Sequence, residues 1–431
     1  MKKLFAAFVF ASALFPVFAA WDGTESEWTK GTGTETDPYL IENESQLAWF
    51  RRSVTEGETY EGKFVKLVAD LDMGADKGLK FFPIGFHNRY ILDNQSYDES
   101  KPFLGTFDGG FKTISNALVV LENDDPDEIG GVGLFAMAEE KTTIKNVIFG
   151  VGSTVDGSNS IDVGGIVGLN YGGKVLDCAN HAKVIGASYE TGGIAGYCSG
   201  TIEGCVNRGT LEAHSSSGGI AGVTEGAVIR NCRSVGAISA EGAYMVGGIV
   251  GWANLNSAVT ACYSVAPMTG MAGSSRMPGI SPVVSELERS TVENCYYVEA
   301  LTGCAPLKAQ EGVAALTEEE LKSQATVDAL GSAWTLGTDG LPALVWEMTP
   351  TTGISDVSAS ADVDVVVRAV VGGIEVNAES QAQLDVYDFS GRKVFSTTVG
   401  QGKTFVGISL SGTYVVRATS GTGVSVLKLA L

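Results

Sequence analysis

Apolar positions along this chain come in short bursts cut by Gly, Ser, Asn and Thr, and one burst recurs. Gly164-Gly165-Ile166-Val167-Gly168, Gly192-Gly193-Ile194-Ala195-Gly196, Gly218-Gly219-Ile220-Ala221-Gly222 and Gly247-Gly248-Ile249-Val250-Gly251 start 28, 26 and 29 residues apart. Cys178, Cys205, Cys232 and Cys262 follow the four glycine pairs by 14, 13, 14 and 15 residues. Helical repeats would show Leu, Ala, Glu and Lys at spacings of three and four. Here short alternating bursts are punctuated by turn residues, which is the pattern of strands. A near-constant period in this range predicts a solenoid in which each unit buries its face only on its neighbours.

About 27 residues at roughly 3.3 Å each provide the path for one coil of a right-handed parallel β-helix, corners included. Ile166, Ile194, Ile220 and Ile249 should then stack, and so should the cysteines. Val175, Ile202, Val228 and Val259 lie a few residues ahead of the cysteines, with small or polar residues between, and read as strand residues. The glycine pairs are expected at corners, where positive φ or close backbone approach excludes a Cβ. Degenerate copies flank the block. Gly130-Gly131-Val132-Gly133-Leu134-Phe135 leads to Val147 at the cysteine position, and Pro278-Gly279-Ile280-Ser281-Pro282 leads to Cys295. Six coils are readable between about residues 130 and 300.

The Gly-Gly-Ile-Val/Ala-Gly phrase resembles the GLUG motif of bacterial surface proteins. So do Asp37-Pro38-Tyr39-Leu40-Ile41, Phe82-Pro83-Ile84-Gly85 and Phe103-Leu104-Gly105-Thr106-Phe107-Asp108-Gly109-Gly110. The resemblance spans residues 37 to about 346. It implies an exported, adhesin-like protein. Some members are zinc peptidases, but no His-Glu-x-x-His occurs here.

The flanking segments divide the chain. Residues 1–20 read as a signal peptide: Lys2 and Lys3, an apolar run from Leu4 to Phe18, and a small-x-small site at Val17-Phe18-Ala19. Residues 21–129 are expected to hold an N-terminal cap and the first coils, with Trp21 to Thr36 a mobile lead-in. A short helix capped by Asn43 or Ser45 would carry Leu47, Trp49, Phe50 and Val54 and shield the open end of the stack. Strands are expected at Phe64–Val68 and Thr113–Leu121, with His87 to Lys101 looping out. The repeat β-helix occupies 130–305, and 306–348 form its C-terminal cap, with a capping box at Thr317 and Glu320. A linker at 349–355 leads to a small antiparallel β-sandwich over 356–431. Its strands are expected at Val363–Val371, Leu384–Tyr387, Lys393–Thr397, Phe405–Leu410, Thr413–Thr419 and Val424–Leu429. The run from Val386 to Val394, Ser411-Gly412-Thr413-Tyr414-Val415-Val416 and the strand holding Lys428 resemble the C-terminal sorting domain of type IX secretion. That resemblance implies delivery to the cell surface or medium, on the exterior of the outer membrane, by export machinery that engages this domain.

Charge and chemistry alter this picture little. Fifty acids against 29 bases give a formal net charge of −21, which argues against a nucleic-acid partner. The stretch 157–272 holds only 12 Asp, Glu, Lys or Arg residues. Asp162, Asp177, Glu190, Glu203, Glu212, Glu225 and Glu241 read as falling at differing phases, and His181 and His214 as lying in different coils. No facing carboxylate pair of the kind glycosidases use stands out, so no catalytic residue is assigned. Glu122-Asn123-Asp124-Asp125-Pro126-Asp127-Glu128 is read as a solvated acidic turn in preference to a calcium loop, because it lacks EF-hand spacing. Cys178, Cys205, Cys232, Cys262 and Cys295 should form an inward ladder of reduced, packed thiols, with Cys198 and Cys304 outside it. No metal or cofactor is implied. Tyr189 and Tyr244 precede their glycine pairs by the same step, and Tyr197 and Trp252 follow the motif directly. These four are the candidate contacts for a surface ligand, glycan or protein. The function expected is that of a non-enzymatic, adhesin-like surface protein. The alternative is a carbohydrate-active enzyme or glycan-binding module on the same scaffold.

Overall fold

The computed structural model describes residues 20–348 except 88, 93–94, 122–129, 187–188, 241–244, 270–279, 282 and 304–308. Beyond 348 it describes 365–370, 373–378, 380–387, 393–407, 413–419 and 424–430. The chain divides into two compact units, Met1–Ala315 and Leu316–Leu431, so the expected closing segment 306–348 is shared between them.

The first unit is a parallel β-solenoid. One full coil runs through Lys174–Leu176, Ala179–Asn180, Lys183–Gly186, Glu190–Gly192 and Ala195–Cys198. We number the sheets containing these five strands I to V. The next coil repeats them at Thr201–Glu203, Val206–Asn207, Leu211–Ala213, Ser216–Gly218 and Ala221–Glu225. Among the described residues, sheets I and II hold nine strands each, sheet III seven, and sheets IV and V six each. Sheet I starts at Tyr39–Ile41 and runs to Thr291–Glu293.

The isoleucines stack as the repeat requires. Ile166 N–H donates to Ile194 O at 3.0 Å, Ile194 N–H to Ile220 O at 3.0 Å, and Ile220 N–H to Ile249 O at 2.9 Å. All four side chains lie in one continuous core that extends from Ile41 to Tyr297. In sheet I the inward column passes through Val175, Ile202, Ile229 and Val259. Val228 is a strand residue, as expected, but stands beside this column: it pairs with Thr201 and Ala258 and is exposed.

The glycine motif works by close approach. None of Gly164, Gly165, Gly192, Gly193, Gly218, Gly219 or Gly247 has a positive φ. A Cβ on Gly164 would collide with the Val167 carbonyl oxygen, because the chain folds back there from sheet IV into sheet V. One on Gly165, Gly193 or Gly219 would strike the side chain of Asn180, Asn207 or Ser234. One on Gly168 or Gly196 would strike the sheet IV backbone of the preceding coil, at Val132 N or Val163 N. Each glycine of the motif therefore answers to a different neighbour.

The left-handed corner sits elsewhere, between sheets I and II, on the residue before each ladder position. Asn146, Asp177, Gly204, Asn231, Ala261 and Asn294 occupy it with φ of 55°, 51°, 65°, 52°, 52° and 51°. Gly, Asn and Asp tolerate this region, whereas alanine does not gain a local side-chain hydrogen bond there. The five ladder cysteines just after these corners are fully buried and reduced, as expected. Each thiol donates to the carbonyl two residues back, at 3.2 Å for Cys178 to Leu176 O and 3.1 Å for Cys262 to Thr260 O. Cys304 lies outside the described residues.

Two residues after the cysteines runs a second inner column, Asn180, Asn207, Ser234 and Ser264. Asn180 Nδ2 donates to Asn207 Oδ1 at 3.0 Å. The two oxygens accept from the N–H groups of Ala182 and Gly209, so these buried amides also hold the turn into sheet III.

At the N-terminal end, Asn43 caps the helix Glu44–Thr55 by accepting from Gln46 N–H at 3.0 Å. Leu47, Phe50 and Val54 fall on its buried face, and Phe50 stacks on Phe107 at 5.9 Å. The lead-in is docked, contrary to the expectation of mobility. Trp28 stacks on Tyr39 at 4.8 Å and meets Trp49 edge-on, and Trp21 meets Phe81. The segment expected to loop out is an antiparallel hairpin of Arg89–Leu92 and Gln95–Asp98.

In the second unit, the Thr317–Glu320 capping box opens the helix Glu318–Leu321, and Gln324–Leu330 follows. A hairpin pairs Trp334–Leu336 with Pro342–Leu344. The sandwich has a three-stranded and a four-stranded antiparallel sheet around Ile374, Val376, Leu384, Val386 and Val416. It has a strand the sequence reading omitted, Gly373–Ala378, which pairs with both Val365–Val370 and Gly402–Gly407.

The corner column yields a test. Ala261→Gly should raise stability by about 1 kcal/mol, and Asn231→Ala should lower it by about 1–2 kcal/mol. Urea denaturation followed by far-UV circular dichroism measures both.

Candidate functional site

The motif residues of sheets IV and V bring side chains of successive coils into one strip. Asp162 and Glu190 each stand two residues before a glycine pair and are register partners. This corrects the reading that the acids fall at differing phases. Their side chains are hydrogen-bonded to each other. Burial lifts the Asp162 carboxyl well above the usual carboxylate range, and the charge and hydrogen bond of Glu190 add to the lift. Glu190 is also raised, by burial first and by Glu225, while its hydrogen bond with Asp162 pulls the other way.

Glu225 lies at the end of the sheet V strand two coils after Tyr171. The register Asn170–Cys198–Thr224 places Tyr171 and Glu225 at the last positions of their sheet V strands, each one residue beyond a paired position. Tyr197 Oη donates to Glu225 Oε2 at 2.9 Å. Burial and that carboxylate together raise the Tyr197 phenol above its usual value. Tyr171 is near enough to act on the same phenol.

Of the four aromatic candidates, Tyr197 and Trp252 share a sheet V column two coils apart, with Val223 between them and Leu169 beyond Tyr197. Both are half-buried, so they do not form an open platform. Tyr189 is 59% exposed beside Glu190. Tyr244, like Glu241 and the acidic run 122–128, lies outside the described residues. Tyr171, which the sequence reading passed over, is 51% exposed. It occupies the last position of its sheet V strand, where it pairs with Glu139 of the coil before.

The Asp162–Glu190 pair does not match glycosidase geometry. The two carboxyls of such enzymes stand about 5–9.5 Å apart to admit a sugar bond or a water. Here they touch, and Asp162 is buried. Among the described residues no group of three His, Cys, Asp or Glu is placed to hold a metal. Burial lifts Cys198 to about 12 and also raises Cys205 and Cys262, which keeps these thiols unreactive. A depression of about 310 Å³ near the N-terminal end is lined by Glu61, Phe64, Leu104, Thr106 and Lys141, with Lys141 paired to Glu61.

Sheet I presents a different kind of surface. Its two outward columns run through Thr143, Lys174, Thr201 and Val228, and through Lys145, Leu176, Glu203 and Arg230. Arg230 bridges to Glu203 on the preceding coil at 2.6 Å. The fold and these surfaces define the class: a parallel β-solenoid followed by a second unit that holds short helices and an antiparallel β-sandwich. Comparison with protein-family models, with curated proteins and with solved structures found no match.

The carboxyl pair sets a pH dependence. Between the ordinary Asp pKa and the raised native one, the folded state keeps a proton that the unfolded chain has released. Stability must fall as pH rises through that window. Asp162→Asn keeps a donor toward Glu190 without the charge. It should match the wild type near pH 4 and exceed it at pH 8, as read by urea midpoints at the two pH values.

Proposed function

We propose that the protein is an exported, non-enzymatic, adhesin-like surface protein whose solenoid presents long repetitive faces for binding. The observation that carries this reading is the outer face of sheet I. It is in register across successive coils and carries Thr and charges of both signs, with Leu176 and Val228 among them. Such a face suits a multi-point contact with an extended ligand and lacks the enclosure that catalysis requires. The resemblance of the repeat to GLUG surface proteins, and of the C-terminal sandwich to a secretion sorting domain, supports the same role. The signal-peptide pattern of residues 1–20 supports export, with the sandwich as the part that engages the export machinery.

Antibody labelling of intact producing cells should detect the solenoid without permeabilisation. The purified protein should release no reducing ends from polysaccharides. Labelling that appears only after permeabilisation, or sugar release that grows with protein concentration, would overturn the reading.

A further inference from the structure

Tyr171 and Tyr189 are the exposed aromatic side chains of the solenoid among the described residues, and both belong to the strip of sheets IV and V. Tyr171 ends its sheet V strand, as Glu225 ends the sheet V strand two coils on, and Tyr171 acts on the Tyr197 phenol that Glu225 holds. Tyr189 immediately precedes Glu190, whose backbone lies against Gly222 three residues before Glu225. Between them Tyr197 is locked by its hydrogen bond to Glu225. The strip thus joins two exposed aromatic side chains to a carboxylate whose orientation is already fixed. We propose that this strip binds the chain of a neutral polysaccharide, with Tyr171 and Tyr189 as stacking platforms and Glu225 as hydroxyl acceptor. The proposal rests on the surface-binding reading above and names a ligand for it.

The chemistry selects this ligand over others. A pyranose ring offers an apolar C–H face to an aromatic ring and a rim of hydroxyl donors to a carboxylate. Tyrosine gives stacking area at low entropic cost, because it has only two rotatable side-chain bonds. An ionised carboxylate has about four acceptor sites, and Tyr197 occupies one of them in Glu225. An apolar partner would bury Glu225 and Glu190 without supplying donors. A polyuronate would meet these acids within a chain of net charge −21. Successive coils are roughly 4.8 Å apart, so platforms on neighbouring coils can engage more than one sugar of the same chain.

Affinity electrophoresis of the full chain tests this in gels containing hydroxyethylcellulose, galactomannan or polygalacturonate. The protein should be retarded in at least one of the neutral gels and not in polygalacturonate. The double variant Tyr171→Ala/Tyr189→Ala should lose at least ten-fold in affinity with its thermal midpoint unchanged. The Tyr171→Phe/Tyr189→Phe pair should remain retarded, because stacking survives loss of the hydroxyls. Free migration in both neutral gels, equal retardation of the alanine variant, or preferential retardation in polygalacturonate would each overturn the proposal. A protein that labels on intact cells yet migrates freely in the neutral gels would sink the ligand assignment alone and leave the surface role standing.

Discussion

Backbone contact without intervening side chains is the constraint on which the solenoid depends. At the turn from sheet IV into sheet V the chain folds back so tightly that three positions of each repeat can carry no Cβ. The first glycine clears a carbonyl of its own turn and the backbone of the next coil, the second clears the next coil's glycine carbonyl together with an inner amide or hydroxyl, and the third clears the coil before. Everything else in the coil is measured from that fold-back. It sets the isoleucines one above another, and it seats Asn180 and Asn207 where their amides meet. A substitution in any of the three glycines would push apart two layers of main chain, not merely crowd a core.

Much of this was legible in the residues. The Gly-Gly-Ile phrase and the cysteines carried the period, and Asn43 and the Thr317–Glu320 pair announced their helices through cap chemistry. Other features were written less plainly. The left-handed corner is shared by Asn, Asp, Gly and Ala, so no single letter marks it, and the glycine pairs drew attention away from it. The inner amide column was visible as a polar residue two places after each cysteine, but a buried polar column looks like a loop residue until its partners are seen. Val228 and Ile229 are both β-branched and stand side by side, and only the register shows that Ile229 is the one that faces inward.

The binding strip was harder to read for a physical reason. Side chains that are distant in sequence meet there by stacking and not by motif. Asp162 and Glu190 occupy equivalent places in two repeats, yet an acid at one phase looks incidental until the neighbouring coil lays another beside it. Tyr171 and Tyr189 sit at different phases on different sheets. They belong together only because sheet IV lies over sheet V. Aromatic residues at matched phases, Tyr197 and Trp252, proved half-buried, since the same packing that aligns them also covers them.

The helix Glu44–Thr55 and the aromatic cluster around Trp28 close one end of the stack. From there each added coil needs only the one beneath it. Length is therefore a quantity the gene can adjust in whole units, roughly 4.8 Å at a time, by duplicating or deleting a repeat. A lineage that needed longer reach could gain it by copying the middle of the reading frame, with no redesign of either terminus.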